Sequence, residues 1–148
     1  AVDAKKFIDT YLETYPGIKD YMDQTIADAK EKGYVRTLFH RKRNITELKN
    51  PVYMIRQSGE RIALNTPIQG TSADMIKLAM VKVYEAFKAR KLKSKMIIQV
   101  HDELIFDTCE DELEDVKKIV KDVMENVYEL EVPLKVDINY GKNWFEAK

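Results

Sequence analysis

The ten residues IIQVHDELIF, 97–106, place an imidazole and two carboxylates inside an apolar, β-branched run. The apolar residues on both sides predict two strands around a tight connection at His101 and Asp102, with Glu103 directly after it. A rigid hairpin tip that presents carboxylate oxygens suits Mg²⁺, which binds through one or two carboxylates together with substrate phosphates and water. Such an ion can stabilise an in-line phosphoryl displacement, although a two-metal centre needs a further carboxylate from elsewhere. The alternative is a solvated turn, because Asp commonly bonds the backbone of turns.

A second set of polar residues lies in ERIALNTPIQGTSAD, 60–74. Arg61, Asn65 and Gln69 recur every four residues, so a helical path would place them along one side. All three side chains can donate hydrogen bonds, and every base pair shows acceptors in the DNA minor groove. The pattern is therefore compatible with contacts that follow a duplex without selecting its sequence. The alternative is that Asn65 caps a helix end and Gln69 is a solvated polar residue.

Charge is balanced over the whole chain and segregated locally. The 148 residues carry 25 basic and 25 acidic side chains, so no overall field favours nucleic acid or membrane. The segment 36–61 is basic and contains Arg36, Arg41, Lys42, Arg43, Lys49, Arg56 and Arg61 against Glu47 and Glu60, whereas 102–114 is acidic. The basic stretch 36–43 has the composition to bind phosphates or to form a solvated loop.

Other features bound the class of protein. A single cysteine, Cys109, excludes an internal disulfide and is typical of a reducing compartment. No run approaches the roughly 18 apolar residues of a membrane span. The start, AVDAKKF, lacks the apolar core of a signal peptide and an initiating Met, so we expect a chain that is processed or cut from a longer one.

The elements that must position these residues follow from periodicity and end signals. Apolar spacing predicts helices over 7–15 and 18–29, the second closed near Gly33. Asn50 and Pro51 predict a helix start, Thr66 and Pro67 an interruption, and Thr71 with Asp74 a capping box that starts another helix. Segment 34–44 favours a loose hairpin or an extended loop.

Strands are predicted over 96–100, 104–108 and 134–138, with a helix over 113–127 that Thr108 and Asp111 cap. The fold class is α+β, with helices packed on one small antiparallel sheet.

Several segments resemble family A DNA polymerases of the bacterial DNA polymerase I type. QVHDE, 99–103, resembles the third catalytic motif of that family, and ERIALNTPIQGTSADMIKLAMV, 60–81, resembles the segment before it. FIDTYLETYPGIKDYM and GYVRTLFHRKR are similar to the stretch between fingers and palm, and PLKVDINYGKNW is similar to the C-terminal end. The resemblance covers nearly the whole chain in the right order, and it implies a partial palm of a right-hand polymerase.

The resemblance also implies roles for individual residues. Asp102 would ligate catalytic Mg²⁺ in a two-metal site, Glu103 would support it, and His101 would lie near the primer end. Gln69 and Asn65 would touch the minor-groove edge of the nascent base pairs, and Arg61 would hold the template or primer strand. Arg41 and Arg43 would lie in a basic run near the DNA. The implied partners are primer-template DNA and, in the parent protein, a deoxynucleoside triphosphate.

Two family features are absent: the first motif, Asp followed by Tyr-Ser-Gln-Ile-Glu, and the fingers helix that holds the nucleotide. We therefore expect a C-terminal fragment of the polymerase domain, with 1–50 as a fingers-side helical hairpin and basic loop and 51–148 as palm. It should not extend a primer alone, and its unpaired sheet edge should favour self-association.

The expected location is the bacterial cytoplasm, at the nucleoid. The alternative function is that of a non-catalytic duplex DNA-binding module. A phosphohydrolase that uses His101 and Asp102 is a poorer hypothesis, because His40 is the only other histidine and too few metal ligands remain.

Overall fold

The computed structural model describes the backbone of residues 2–147 and the side chains of residues 4–147. The elements are α1 (Val2–Thr14), α2 (Pro16–Lys32), β1 (Tyr34–Arg36), β2 (Lys42–Asn44), α3 (Tyr53–Arg90), β3 (Lys95–Val100), β4 (Glu103–Asp107) and α4 (Leu113–Glu125), with 3₁₀ turns at Thr46–Lys49 and Glu110–Glu112. The predicted α+β class is confirmed. The strands form two separate antiparallel pairs, β1–β2 and β3–β4, where one sheet was predicted.

Two compact units divide the chain, and the first ends at Thr71. It begins with a helical hairpin whose second helix starts at Pro16, in the position where a proline's missing N–H costs nothing. That helix ends as predicted at Gly33, which adopts φ 76° and donates its N–H to the Ala29 carbonyl. The buried core of this unit consists of Ala29, Val35, Ile45, Leu48 and Ala63. The β1–β2 hairpin is therefore anchored between α2 and α3.

Helix α3 corrects the predicted interruption. It begins at Tyr53, two residues after the predicted start, and the Asn50 Oδ1 accepts the Val52 N–H just before it. It then continues through Pro67 to Arg90 without a break. The Thr71 hydroxyl donates to the Pro67 carbonyl and accepts the Leu38 N–H at 2.9 Å, so it does not start a new helix. Contacts with the β1–β2 turn thus support the helix where Pro67 weakens it.

The second unit begins at Ser72 and contains the strands β3 and β4. The strands predicted over 96–100 and 104–108, and the tight connection at His101 and Asp102, are confirmed within one residue. Its core joins the last turns of α3 to α4 through Val83, Phe87, Val116, Ile119 and Val120. The last three of these belong to the helix that the sequence predicts over 113–127. Met96 and Phe106 from the two strands pack against this core.

Two predictions in the second unit are wrong. Residues 134–138 are not a strand, although Leu134, Val136 and Ile138 alternate with exposed neighbours as a strand would. The segment has no partner strand among residues 2–147, and the Val136 N–H instead donates to the Glu125 carboxylate at 3.1 Å. Thr108 does not cap the following turn, since Cys109 occupies the cap position without a side-chain bond. None of the helices within residues 2–147 combines the length and apolar character that crossing a bilayer requires.

Candidate functional site

The tip of the β3–β4 hairpin carries three of the predicted site residues. Val100 pairs with Glu103, so His101 and Asp102 form a two-residue loop. His101, Asp102 and Glu103 are all exposed. The carboxylates of Asp102 and Glu103 make no hydrogen bond or ion pair with any side chain or backbone group within residues 4–147. The acidic tip therefore presents its oxygens to solvent.

The base of the hairpin is apolar and fixed to the helices. Phe106 in β4 packs against Phe87 in α3, with ring centroids 5.7 Å apart, and Met96 in β3 joins the same cluster. A register shift between Met96 and Ile98 interrupts the ladder near the base. The tip is thus the polar end of an element whose other end is anchored in the core.

A carboxylate clamp closes the hairpin at the end opposite the tip. The Glu112 carboxylate accepts the N–H groups of Lys93 and Ser94, at 2.9 and 2.8 Å, and the Ser94 hydroxyl at 2.6 Å. The Ser94 Oγ in turn accepts the Cys109 N–H at 3.1 Å. The Lys93 backbone bond, followed by the Ser94 bonds, holds the pKa of Glu112 below its ordinary value. The clamp ties the start of β3 to the chain that follows β4, and the sequence gives no local signal for it because its partners lie 18 and 19 residues apart.

The predicted hydrogen-bond donors Arg61, Asn65 and Gln69 lie on α3 in the first unit. Because this part of α3 is helical throughout, their spacing of four places them along one side. All three are exposed, whereas the intervening Ala63 and Thr66 are buried. None of the three donors has a side-chain hydrogen bond or ion pair within residues 4–147. The row is therefore accessible along its length.

The basic β1–β2 hairpin is bound to α3 through two arginines. The Arg41 guanidinium donates to the Gly70 carbonyl at 3.1 Å, and the Arg43 guanidinium donates to the Thr66 hydroxyl at 3.2 Å. Gly70 permits this approach, because a Cβ there would lie 2.7 Å from Thr37 Cγ2. Both arginines remain exposed. They fasten the hairpin to the helix that carries the donor row and keep nitrogen atoms at the surface.

Two cations face each other across this hairpin. Arg36 and Lys42 are direct partners in the β1–β2 register. Both lie over the Tyr34 ring, with the Arg36 Cζ 5.4 Å and the Lys42 Nζ 3.9 Å from the centroid. The aromatic face offsets part of the repulsion between the like charges. This side of the hairpin is consequently positive.

The donor set limits what the acidic tip can hold by itself. No three His, Cys, Asp or Glu side chains lie together as a metal-binding group in the described part of the chain. Two adjacent carboxylates have the oxygen chemistry that Mg²⁺ prefers, but they supply only part of a coordination sphere. Of the predicted site residues, the second unit brings together His101, Asp102 and Glu103, and the first unit holds the other five.

Comparisons with known proteins agree with one another. A family model described as DNA polymerase family A matches residues 1–146. DNA polymerase I of Lactococcus lactis subsp. cremoris (strain MG1363) is 50% identical over 146 residues, and that of Bacillus subtilis (strain 168) is 49% identical over the same length. Each alignment covers 99% of this chain and 17% of the relative. This chain therefore spans about one sixth of the curated relatives that it matches.

A solved structure is also similar. It is described as the POL domain of Pol1 from M. smegmatis in complex with DNA primer-template and dNTP. The superposition gives a TM-score of 0.94 at 39% sequence identity and covers 98% of this chain and 26% of that chain.

Proposed function

This chain belongs to DNA polymerase family A, and we propose that it supplies the C-terminal part of the polymerase domain of a DNA-directed DNA polymerase. In this proposal residues 1–50 form the fingers-side hairpin and basic loop, and residues 51–148 form the palm portion. The two curated relatives described above, both named DNA polymerase I, support it, as does the similarity to a polymerase domain described with primer-template and dNTP. The parent protein would act in DNA replication and repair in the bacterial cytoplasm, at the nucleoid.

The observation that carries the proposal is the exposed pair of carboxylates on an anchored hairpin. Asp102 would be the principal ligand of the catalytic Mg²⁺ ions, and Glu103 would support it. When bound, two such ions stabilise the attacking and leaving oxygens of an in-line phosphoryl displacement. The role of this chain is to hold the carboxylates rigidly at a solvent-exposed tip. A further carboxylate must come from another part of the protein, since the tip alone gives an incomplete site.

The donor row on α3 provides the proposed contacts with primer-template DNA. Gln69 and Asn65 would donate to acceptors in the minor groove, where every base pair shows at least two. Arg61 would hold the template or primer strand, and His101 would lie by the primer end. Arg41 and Arg43 would contribute charge for phosphates, and binding should weaken as salt rises. The exposure of all six side chains supports these roles.

A chimeric enzyme tests the proposal directly. Residues 1–146 replace the matching 146 residues of Bacillus subtilis DNA polymerase I, and primer extension is measured with Mg²⁺. We expect an active chimera, in which Asp102→Asn lowers the extension rate by at least about a hundredfold, the scale of removing one charge-stabilising group. Asp107→Asn is the matched control, because Asp107 is an exposed acid at the base of the same hairpin. Full activity of the Asp102 variant would refute the proposal.

The same logic applies to the isolated chain. The 148-residue chain should not extend a primer, because its described residues form no complete metal-binding group and a two-metal displacement needs further ligands. Because the described residues form no complete metal-binding group, the second candidate function is that of a duplex DNA-binding module. Duplex binding that is lost with Arg61→Ala and Gln69→Ala, yet is indifferent to Mg²⁺ and to Asp102→Asn, would favour the binding module.

A further inference from the structure

The peptide that leads into Asp102 has an unusual backbone. His101 adopts φ 53°, whereas Asp102, the other loop residue, is not among the residues with positive φ. A positive φ at the first loop residue alone is the pattern of a type II′ hairpin turn, which normally has Gly there. A side chain with a Cβ is strained in this region, although His tolerates it better than most residues. A second interaction is therefore needed to favour this turn over relaxed alternatives.

Gln99 provides that interaction. Its Nε2 donates to the carbonyl oxygen of His101, two residues further along the chain, at 2.5 Å. This carbonyl belongs to the peptide bond that joins His101 to Asp102, so the hydrogen bond acts on the peptide plane directly before the metal-binding residue. Gln99 is exposed, and its side chain is not part of the apolar base of the hairpin. Its amide is thus available to fix the tip without contributing to the core.

We propose that Gln99 is a positioning residue, whose amide holds the strained His101 peptide and so sets the direction of the Asp102 carboxylate. This inference rests on the proposed function, because it concerns the same metal-binding tip. It assigns Gln99 no contact with metal or DNA. The expected signature is a loss of metal affinity, without a matching loss of fold stability, when the amide donor is removed.

The test uses Mn²⁺ as the probe on the 148-residue chain, with affinity measured from paramagnetic broadening of the backbone amide signals of residues 100–104. Gln99→Met keeps the length of the side chain and removes the donor. We expect its Mn²⁺ affinity to fall about three- to tenfold, the worth of one hydrogen bond, with an unchanged thermal midpoint. Gln24→Met is the matched control, since the Gln24 amide donates to Asp28 in α2, far along the chain from the hairpin. It should leave the affinity unchanged.

A second background makes the role specific. Gly adopts positive φ without strain, so in the His101→Gly background the Gln99 amide should contribute little to the stability of this turn. We expect Gln99→Met to lower Mn²⁺ affinity by less than twofold in the His101→Gly background. An equal fold-loss in both backgrounds, or no loss in the parent, would overturn the inference. Failure of the proposed function is distinguishable, because Asp102→Asn would then leave Mn²⁺ affinity unchanged as well.

Discussion

Gly70 is the contact point between α3 and the basic hairpin, and its replacement by Ala gives a prediction whose sign is informative. The added Cβ would lie 2.7 Å from Thr37 Cγ2 and 3.3 Å from the Arg41 guanidinium. Thr37 cannot move away easily, because it is only 4% exposed and its hydroxyl accepts the Arg41 N–H at 3.2 Å. The β1–β2 hairpin must therefore shift away from the helix.

The magnitude follows from opposing contributions. Forcing a methyl group into a packed contact costs about 1–3 kcal/mol. Losing the bond from Arg41 to the Gly70 carbonyl costs a further ~0.5–1.5 kcal/mol if the hairpin moves. Ala gains up to about 1 kcal/mol over Gly in a helix. The two costs total about 1.5–4.5 kcal/mol and the helical gain offsets about 1 kcal/mol, so we expect Gly70→Ala to lower the free energy of unfolding by about 0.5–3.5 kcal/mol.

Gly17→Ala is the matched control, because Gly17 also lies in a helix and a Cβ there meets nothing within 4 Å. This variant should be more stable than the parent by up to about 1 kcal/mol. Urea titrations followed by circular dichroism, with slopes compared between variants, measure both changes. If Gly70→Ala stabilised the chain as much as Gly17→Ala, the close packing of the hairpin on α3 would be refuted.

Three further predictions concern other parts of the chain. Lys91 follows the last residue of α3 with φ 55°, and the Leu92 N–H donates to the Phe87 carbonyl as in a Schellman cap. Because Gly adopts positive φ without strain, Lys91→Gly should raise the free energy of unfolding by about 0.5–1 kcal/mol. A thermal melt measures the change, and an unchanged or lower midpoint would contradict this prediction. The lowered pKa of Glu112 means that its stabilisation is present above the ordinary glutamate pKa and is lost as pH falls through the folded value. Urea midpoints measured from pH 6 to 3 should therefore fall less steeply in Glu112→Gln, and parallel curves would count against the clamp. The free edges of the β3–β4 pair should favour self-association at high concentration. Ile97→Lys places a charge at a side chain that is 54% exposed in β3, so it should reduce this association in sedimentation equilibrium. A parent chain that stays strictly monomeric would contradict the prediction.

The sequence predicted the acidic tip because its signals are local. Apolar runs on both sides of His101 and Asp102 leave only a short connection, and the ladder closes at Val100 and Glu103, one residue closer to the tip than the predicted strand start at 104. The exposure of the tip was also implied, since charged side chains interrupt an apolar pattern there. The positive φ of His101 and the bond from Gln99 were not predicted, because no residue type at these positions signals a left-handed turn.

The missed features depend on distant contacts. Pro67 ordinarily ends a helix, and only the bond from Leu38 to Thr71 and the fit of Gly70 against Thr37 show why α3 continues. The apolar alternation of residues 134–138 does match their exposure, since Leu134, Val136 and Ile138 are half-buried and the residues between them are exposed. A strand also requires a partner, and a single sequence does not supply one.

The two cations over the Tyr34 ring make the rigidity of the β1–β2 hairpin depend on the ions dissolved around it. Arg36 and Lys42 face each other directly, so dissolved ions that screen their repulsion should stabilise the ribbon, whereas the same screening weakens attractive ion pairs at a surface. An anion seated between the two side chains would do the same and more strongly. The rigidity of this ribbon should therefore rise when an anion occupies the space between Arg36 and Lys42.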